Sequence, residues 1–286
     1  MLDLARLRVL DAVARTGSVT AAAKQLHYSQ PSVSHHLARL EQETGAQLMQ
    51  RVGRGVRLTP TGRLLADRAA EILGRVDAAA AELSAHVGLD AGRVRLAGFT
   101  SGLTTLVPAA AEILRREYPG LQLSLTDTHP PEALELLRAG HVDLALIFRY
   151  DEAPPEDEAI RLVHLLDDPT YLLTTDGPTR LADHCESTWI AGCERCRAHL
   201  IEDCARAGFV PRIEYSTDDM VLMQALVAAG VGVTTIPGLA LRSYQARGIT
   251  ATEIPGSTRR LYAATYGAPP DPPATAALLA ALHEAA

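Results

Sequence analysis

The sequence predicts an α/β protein in three parts: an N-terminal winged helix-turn-helix, a long linker helix and a two-lobed α/β body. Three observations predict it. Positive charge is concentrated at the start: Met1 to Gly62 holds 8 Lys and Arg against 4 Asp and Glu, in a chain whose net charge is −7. The next segment repeats apolar residues in alternating steps of four and three. Beyond it, short apolar runs alternate with amphipathic segments, the rhythm of parallel strands and their covering helices. With 286 residues, 47% of them hydrophobic, the chain is long enough for two or three units with cores of their own.

In the head, Leu4, Leu7, Leu10 and Val13 share one helix face, and Gly17 ends that helix. Ser18 or Thr20 can cap a second short helix, AAAKQLHY, and a tight turn leads into a third. Ser29 suits the N-cap of the third helix, and Pro31 suits its first turn, where a missing N–H costs little. Val33, Leu37 and Leu40 form its apolar stripe. Ser32, His36 and Arg39 share another face with His35 beside them, and Gln30 and Ser34 lie on the same opening turns. Hydroxyls, imidazoles and a guanidinium are groups that contact phosphates and base edges. The plainer alternative is a solvated face of an amphipathic helix. RVGRGVRLTPTG then reads as a β-hairpin wing that presents Arg51, Arg54 and Arg57. Charge favours the nucleic-acid reading, because the head carries +4 and the remainder −11.

Thr61 can cap a long helix running to about Val87. Leu65, Ala69, Ile72, Val76, Ala79 and Leu83 make a heptad seam, which fits pairing with a second copy better than packing on its own domain. GLDAG, residues 88–92, is a short hinge. The body continues as strand VRLAGF, helix SGLTTLVPAAAEILRREY, strand LQLSLTD, helix PEALELLRAG and strand VDLALIF. A second unit starts near Leu166 with YLLTT, TWIAG, helix CRAHLIEDCARAG, strand RIEYS, helix MVLMQALVAAG and strand VGVTTIP, before a return strand RLYAATY and a final helix. The body reads as two α/β lobes joined by crossing strands, and the expected boundaries are 1–60 for the head, 61–88 for the linker and 92–286 for the body. Lobe I takes 92–165 with 266–286, and lobe II takes 166–265. Met220 to Leu241 has no charged residue, but Gly230, Gly232 and Pro237-Gly238 divide it, so no membrane span is expected. Asp3, Arg6, Arg8 and Asp11 interrupt any signal-peptide pattern, and a cytoplasmic protein is expected.

In open α/β lobes, ligands bind beyond the carboxyl ends of the strands. Phe99, Thr100, Ser101 and Gly102 follow the first strand and open a helix, whose free N–H groups favour a carboxylate or other anion. Phe148 ends VDLALIF and Arg149 follows it, offering an apolar wall and a full positive charge. In the second lobe Gly192 ends WIAG, and Thr217 and Asp218 follow Ser216 at another helix start. Thr100, Ser101 and Thr217 serve equally well as helix caps, and Arg149 can pair with Asp151 or Glu152. No Ser-His-Asp context, glycine-rich phosphate loop or paired-carboxylate site points to an enzyme, and no cofactor is expected. All four cysteines, Cys185, Cys193, Cys196 and Cys204, fall in one window beside His184 and His199. Buried structural thiols are the plainest reading. Cys193-x-x-Cys196 at a helix start also suits redox chemistry, and Cys193, Cys196 and His199 suit zinc. Cys196 and Cys204, eight apart on one helix, would lie about 12 Å apart and could not bond to each other.

The run TGSVTAAAKQLHYSQPSVSHHLARLEQETGAQLMQR, with GVRLTPTG after it, resembles the winged helix-turn-helix of the LysR-type transcriptional regulators. The match covers nearly all of the first sixty or so residues. Leu48-Met49 stands where that family usually has Leu-Phe, and His35-His36 where a basic residue followed by Gln is common. The resemblance implies a homodimer or homotetramer on double-stranded promoter DNA, with the linker helix forming the dimer. It implies a periplasmic-binding-protein-like effector domain, with a small-molecule effector between the lobes in contact with Thr100 and Ser101. Peroxide-sensing members use two cysteines in the region of Cys193 to Cys204, so a cysteine-based redox or metal sensor on the same scaffold is the alternative.

Overall fold

The computed structural model describes residues 2–52, 55–86, 92–150, 159–175 and 180–286. Helix α1 (Leu4–Thr16) opens under the Asp3 carboxylate and closes at Gly17, whose φ of 65° is the left-handed conformation of a helix end. Ser18, rather than Thr20, caps α2 (Val19–Gln25). The Ser29 hydroxyl accepts the Ser32 N–H at the start of α3 (Gln30–Thr44). Val33, Leu37 and Leu40 pack with Leu7, Leu10 and Val13 into one small core. Strands β1 (Met49–Val52) and β2 (Gly55–Leu58) form the antiparallel wing, while Gly53 and Arg54 lie outside the described residues. The Glu41 carboxylate accepts the N–H groups of Leu48 (2.8 Å) and Met49 (3.0 Å), tying the wing's base to α3. Leu48 is buried and Met49 packs at the edge of the head core, a gap a flexible thioether fills well.

Helix α4 (Pro60–His86) is the linker. Its cap is Thr59, not Thr61: the Thr59 hydroxyl accepts the Gly62 N–H at 2.9 Å, leaving Pro60 in the first turn. The seam divides in two. Leu65 and Ala69 pack onto the head core, whereas Ile72, Val76 and Leu83 are exposed in the single chain. Farther along, Gly74 meets Gly140 backbone to backbone, and a methyl group on either would overlap the other's Cα.

The body begins with β3 (Arg93–Gly98), α5 (Thr100–Glu117), β4 (Gln122–Asp127), α6 (Pro130–Arg138) and β5 (Leu144–Arg149), the expected parallel unit. It continues with β6 (Ile160–Thr174), β7 (Thr188–Ala191), α7 (Glu194–Arg206), β8 (Arg212–Ser216), α8 (Met220–Ala228), β9 (Val233–Pro237), α9 (Gly238–Ser243), β10 (Thr250–Tyr266) and α10 (Pro273–Glu284). Among the described residues these strands form one sheet in the order β4-β3-β5-β10-β6-β9-β7-β8. The uncharged run from Met220 is divided among α8, β9 and α9. No helix among the described residues is long and apolar enough to cross a membrane.

One expectation is corrected here. YLLTT and RLYAATY are not separate short strands but parts of β6 and β10, which run unbroken through both lobes. The lobe boundary therefore crosses the middle of two strands. Arg260 to Ala264 already pair with β5, so the chain has returned to lobe I well before residue 266. Pro169 and Gly256 lie within these two strands. The ladder absorbs them with a register shift between Glu253 and Thr258.

Candidate DNA-binding and effector sites

The first site is the outer face of α3. Ser29, Gln30, Pro31, Ser34, His35 and Arg39 are exposed there, and Ser32 and His36 are half-buried. The His36 ring stacks on Tyr28 with centroids 5.7 Å apart, which limits its rotation, and His35 meets its edge. Arg39 donates to the Gln42 side-chain oxygen at 3.2 Å. The backbone of Arg51 belongs to β1. This face needs only one helix, and that helix is held by its buried stripe on the other side.

The second site lies where the crossing strands meet. Arg259 on β10 faces Asp168 on β6 in register, and each side chain is 1% exposed. Arg259 Nε donates to Asp168 Oδ2 at 2.9 Å, and its Nη2 donates to the Ser101 hydroxyl at 2.9 Å. The guanidinium also lies 4.9 Å from the Phe99 ring centroid and 4.6 Å from that of Phe148. Asp168 Oδ1 accepts the Leu239 N–H at the start of α9 (2.9 Å). Burying an ion pair costs both hydration shells, and the hydrogen bonds to the Ser101 hydroxyl and from the Leu239 N–H offset part of that cost.

Over this pair opens a cavity of about 320 Å³. Thr100, Ser101, Phe99 and Phe148 line it from lobe I, and Gly192, Cys193, Cys196, Met220 and Met223 from lobe II. At the rim the Thr100 hydroxyl lies 3.3 Å from each oxygen of Asp127. His129 Nε2 lies 3.2 Å from Asp218 Oδ2, spanning the mouth from one lobe to the other. A wider groove adjoins it, bounded by Tyr150, His199 and Thr217 among others.

At the start of α7 the Cys193 sulfur accepts the Cys196 N–H and sits 3.0 Å from the Cys196 sulfur. The hydrogen bond from Cys196 lowers the Cys193 thiol to about 6 against the opposing effect of burial. The same contact, with burial, pushes Cys196 well up. The Tyr150 hydroxyl donates to the Cys196 sulfur at 3.8 Å, and its ring stacks on His199 at 3.8 Å. Burial lowers the pKa of His199. Its Nε2 lies 2.8 Å from the Ser257 hydroxyl, which donates to Asp203 at 2.7 Å. In this order Ser257 gives its proton to the carboxylate rather than to the imidazole, so the trio is not a nucleophilic triad. Among the described residues no group of three His, Cys, Asp or Glu is placed to hold a metal ion.

The profile described as "Bacterial regulatory helix-turn-helix protein, lysR family" matches residues 4–63, and the "LysR substrate binding domain" profile matches residues 88–286. The chain belongs to the LysR family. It is a DNA-binding transcriptional regulator with an effector-binding domain. It is 32% identical over 252 residues, 82% of each chain, to the HTH-type transcriptional regulator TfdS of Cupriavidus pinatubonensis. It is 28% identical over 248 residues to the probable HTH-type transcriptional regulator LrrA of Synechococcus elongatus, covering 84% of this chain and 82% of that one. Among solved structures, full-length OxyR from Pseudomonas aeruginosa superposes with a TM-score of 0.75 at 22% identity, over 99% of this chain and 95% of that one. Full-length CbnR complexed with its target DNA gives 0.68 at 23% identity over all of both chains. At these identities the likeness is one of fold.

Of the effector residues expected for this LysR chain, Thr100, Ser101, Phe148, Gly192 and Asp218 surround the cavity. Gly102 lies behind them, where a Cβ would strike the Phe99 ring and Leu146. Thr217 borders the adjoining groove, and its hydroxyl accepts the Asp219 N–H at 3.2 Å. Arg149 is a correction. It follows Phe148 on β5, so alternation along the strand turns it to the sheet face of Ala145 and Ile147, away from the cavity. The cation at the cavity is Arg259. A signal for it was present: Arg259 is in phase with Leu261 and Ala263, both of them core residues. The cysteines also divide. Cys204 is buried in the lobe II core, Cys185 is exposed, and Cys193 and Cys196 line the cavity.

Proposed function

We propose that this LysR-type regulator works in the cytoplasm as a homodimer or homotetramer. It reads double-stranded promoter DNA with the outer face of α3, using Ser32, His35, His36 and Arg39 on the bases and phosphates and the wing arginines, Arg51 and Arg54, on the backbone. A small organic carboxylate in the inter-lobe cavity is the effector. The observation that carries this reading is the cavity over Arg259 and the start of α5. The first-turn N–H groups of α5 and the Arg259 guanidinium offer donors to an anion, while Phe99, Phe148, Met220 and Met223 supply an apolar wall. The carboxylates of Asp127 and Asp218 at the rim favour a ligand with its negative group at the inner end. Binding acts on DNA by favouring one arrangement of lobes or subunits over another.

The proposed assembly is supported by Ile72, Val76 and Leu83, a row of apolar side chains that one chain leaves uncovered. The experiment for the whole reading has two steps. Sequencing the DNA captured by the purified protein identifies the neighbouring genes and so the class of effector. Titration of candidate carboxylates in matched gel shifts then tests the cavity. No response to any of them, with DNA binding intact, would reject the organic effector. The second reading is a cysteine-based redox or metal sensor on the same scaffold. The contact between Cys193 and Cys196 favours its redox form.

A further inference from the structure

We propose that Cys193 and Cys196 form a redox switch inside the effector cleft, a dithiol that closes to an intramolecular disulfide by exchange with small-molecule disulfides. This rests on the cysteine-based reading above and is independent of the organic effector.

The geometry singles out this pair. Their sulfurs are 3.0 Å apart, and a disulfide bond is about 2.05 Å, so closure needs about 1 Å of approach. Cys193 is the cap residue of α7 and Cys196 lies in its first turn, so side-chain rotation at a helix end supplies that approach. The other cysteines are differently placed. Cys204 is sealed in the lobe II core beside Trp189 and Leu200, and Cys185 is exposed.

The two sulfurs are also unequal in the way exchange requires. Cys193 borders both the cavity and the wider groove, so a small molecule reaches it from the cleft. Its sulfur accepts the Cys196 N–H, a bond that favours the thiolate over the thiol. Cys193 is therefore the attacking group. Its thiolate adds to one sulfur of a disulfide RSSR, the S–S bond breaks, and RS⁻ departs and takes up a proton. Cys196 then loses its proton to solvent and attacks the Cys193 sulfur, and the second RS⁻ leaves. Two protein thiols are oxidised by two electrons and RSSR is reduced to two RSH. The Tyr150 hydroxyl, which donates to the Cys196 sulfur, steadies the thiolate that forms in the second step.

The switch has a structural readout. Tyr150 follows β5 in lobe I and Cys196 sits on α7 in lobe II, so their contact joins the lobes. Closing the disulfide draws the Cys196 sulfur toward Cys193 and so alters this contact. Oxidation also removes negative charge from a cleft that holds the Arg259 guanidinium.

The test uses the full chain, first reduced and then exposed to oxidised glutathione, with every thiol mapped by alkylation and peptide mass spectrometry. The expected product is a link between Cys193 and Cys196 within one chain, reversed by dithiothreitol. Cys196→Ser should trap one glutathione on Cys193. Cys193→Ser keeps a side chain able to cap α7, and there Cys196 should react roughly tenfold more slowly than Cys193 does in the parent. Gel shifts on captured promoter DNA should differ between oxidised and reduced protein, and this difference should vanish in both variants. Glutathione on Cys185 alone, a link between chains, equal reactivity of Cys196 in Cys193→Ser, or identical gel shifts would each overturn the proposal. The carboxylate reading is judged separately, by titrating the parent chain kept reduced with dithiothreitol, in which no such disulfide persists.

Discussion

The outer face of α3 and the inter-lobe cleft are both polar surfaces, but they are built in opposite ways. The α3 face is a row of side chains a few residues apart, mostly exposed, on a helix held by a stripe on its far side. The cleft is organised around Arg259, Asp168 and Ser101, which come from distant parts of the chain and are 1–2% exposed. Water solvates the polar atoms of the first surface when nothing is bound. In the second, Arg259 is hydrogen-bonded to Asp168 and to Ser101. Substitution should therefore separate recognition from folding in the head and be unable to do so at the hub of the cleft.

The largest expected effect tests that difference directly. Arg259→Ala leaves the Asp168 carboxylate buried without its cation, which costs about 3–5 kcal/mol. Arg39→Ala on the exposed face should change stability by no more than about 0.5 kcal/mol. Urea unfolding of both variants measures the contrast, and equal stability for the two would remove its basis. Next is Ile72→Asp. Ile72 is 38% exposed in the single chain, so the monomer should fold while a charge placed in the paired seam costs on the order of several kcal/mol of association. Light scattering should show a smaller particle, and an unchanged one would put the dimer contact elsewhere.

Thr100→Val sharpens the description of the cleft. Its hydroxyl is at the rim rather than the hub, so the fold should hold while effector affinity falls about ten- to a hundredfold. Arg149→Ala, on the other sheet face, should respond normally, and a reporter assay with matched gel shifts reads both. Loss of response in Arg149→Ala alone would reverse the assignment of the cation. In the head, His36→Ala should alter preference at one or two base positions by about 1–3 kcal/mol, visible in fluorescence titrations over a set of site variants. Uniform weakening at all sites would mean a phosphate contact instead. The smallest effect concerns pH. Burial lowers the folded pKa of His199 below its ordinary 6.5, so the unfolded chain takes up that proton first. Stability from this group is complete above pH 6.5 and declines as the solution is acidified past it. His199→Asn should flatten that part of a plot of melting temperature against pH.

The head was readable because its information is local. Caps, glycine ends and the Val33, Leu37, Leu40 stripe are all set within a few residues, and only Thr59 for Thr61 needed revision. The cleft was half readable. A rule about strand ends led to Thr100, Ser101, Phe148 and Gly192, because those positions depend on one strand and the helix after it. Arg259 depends on which strand lies beside which. Its partner is 91 residues away on β6, and neither "TRR" nor "DDP" announces a buried ion pair. Strands crossing between the lobes are expected from the sequence, but the unbroken length of β6 and β10 depends on their pairing with each other.

The meeting of Gly74 with Gly140 gives the molecule a mechanical property. Most contacts between protein parts are cushioned by side chains, which rotate and absorb small displacements. Here two main chains touch with nothing between them to compress. One belongs to the rod that leaves the head, the other to the turn after α6 in lobe I. Any side chain at either position would wedge the rod away from lobe I, so this junction tolerates no residue larger than glycine.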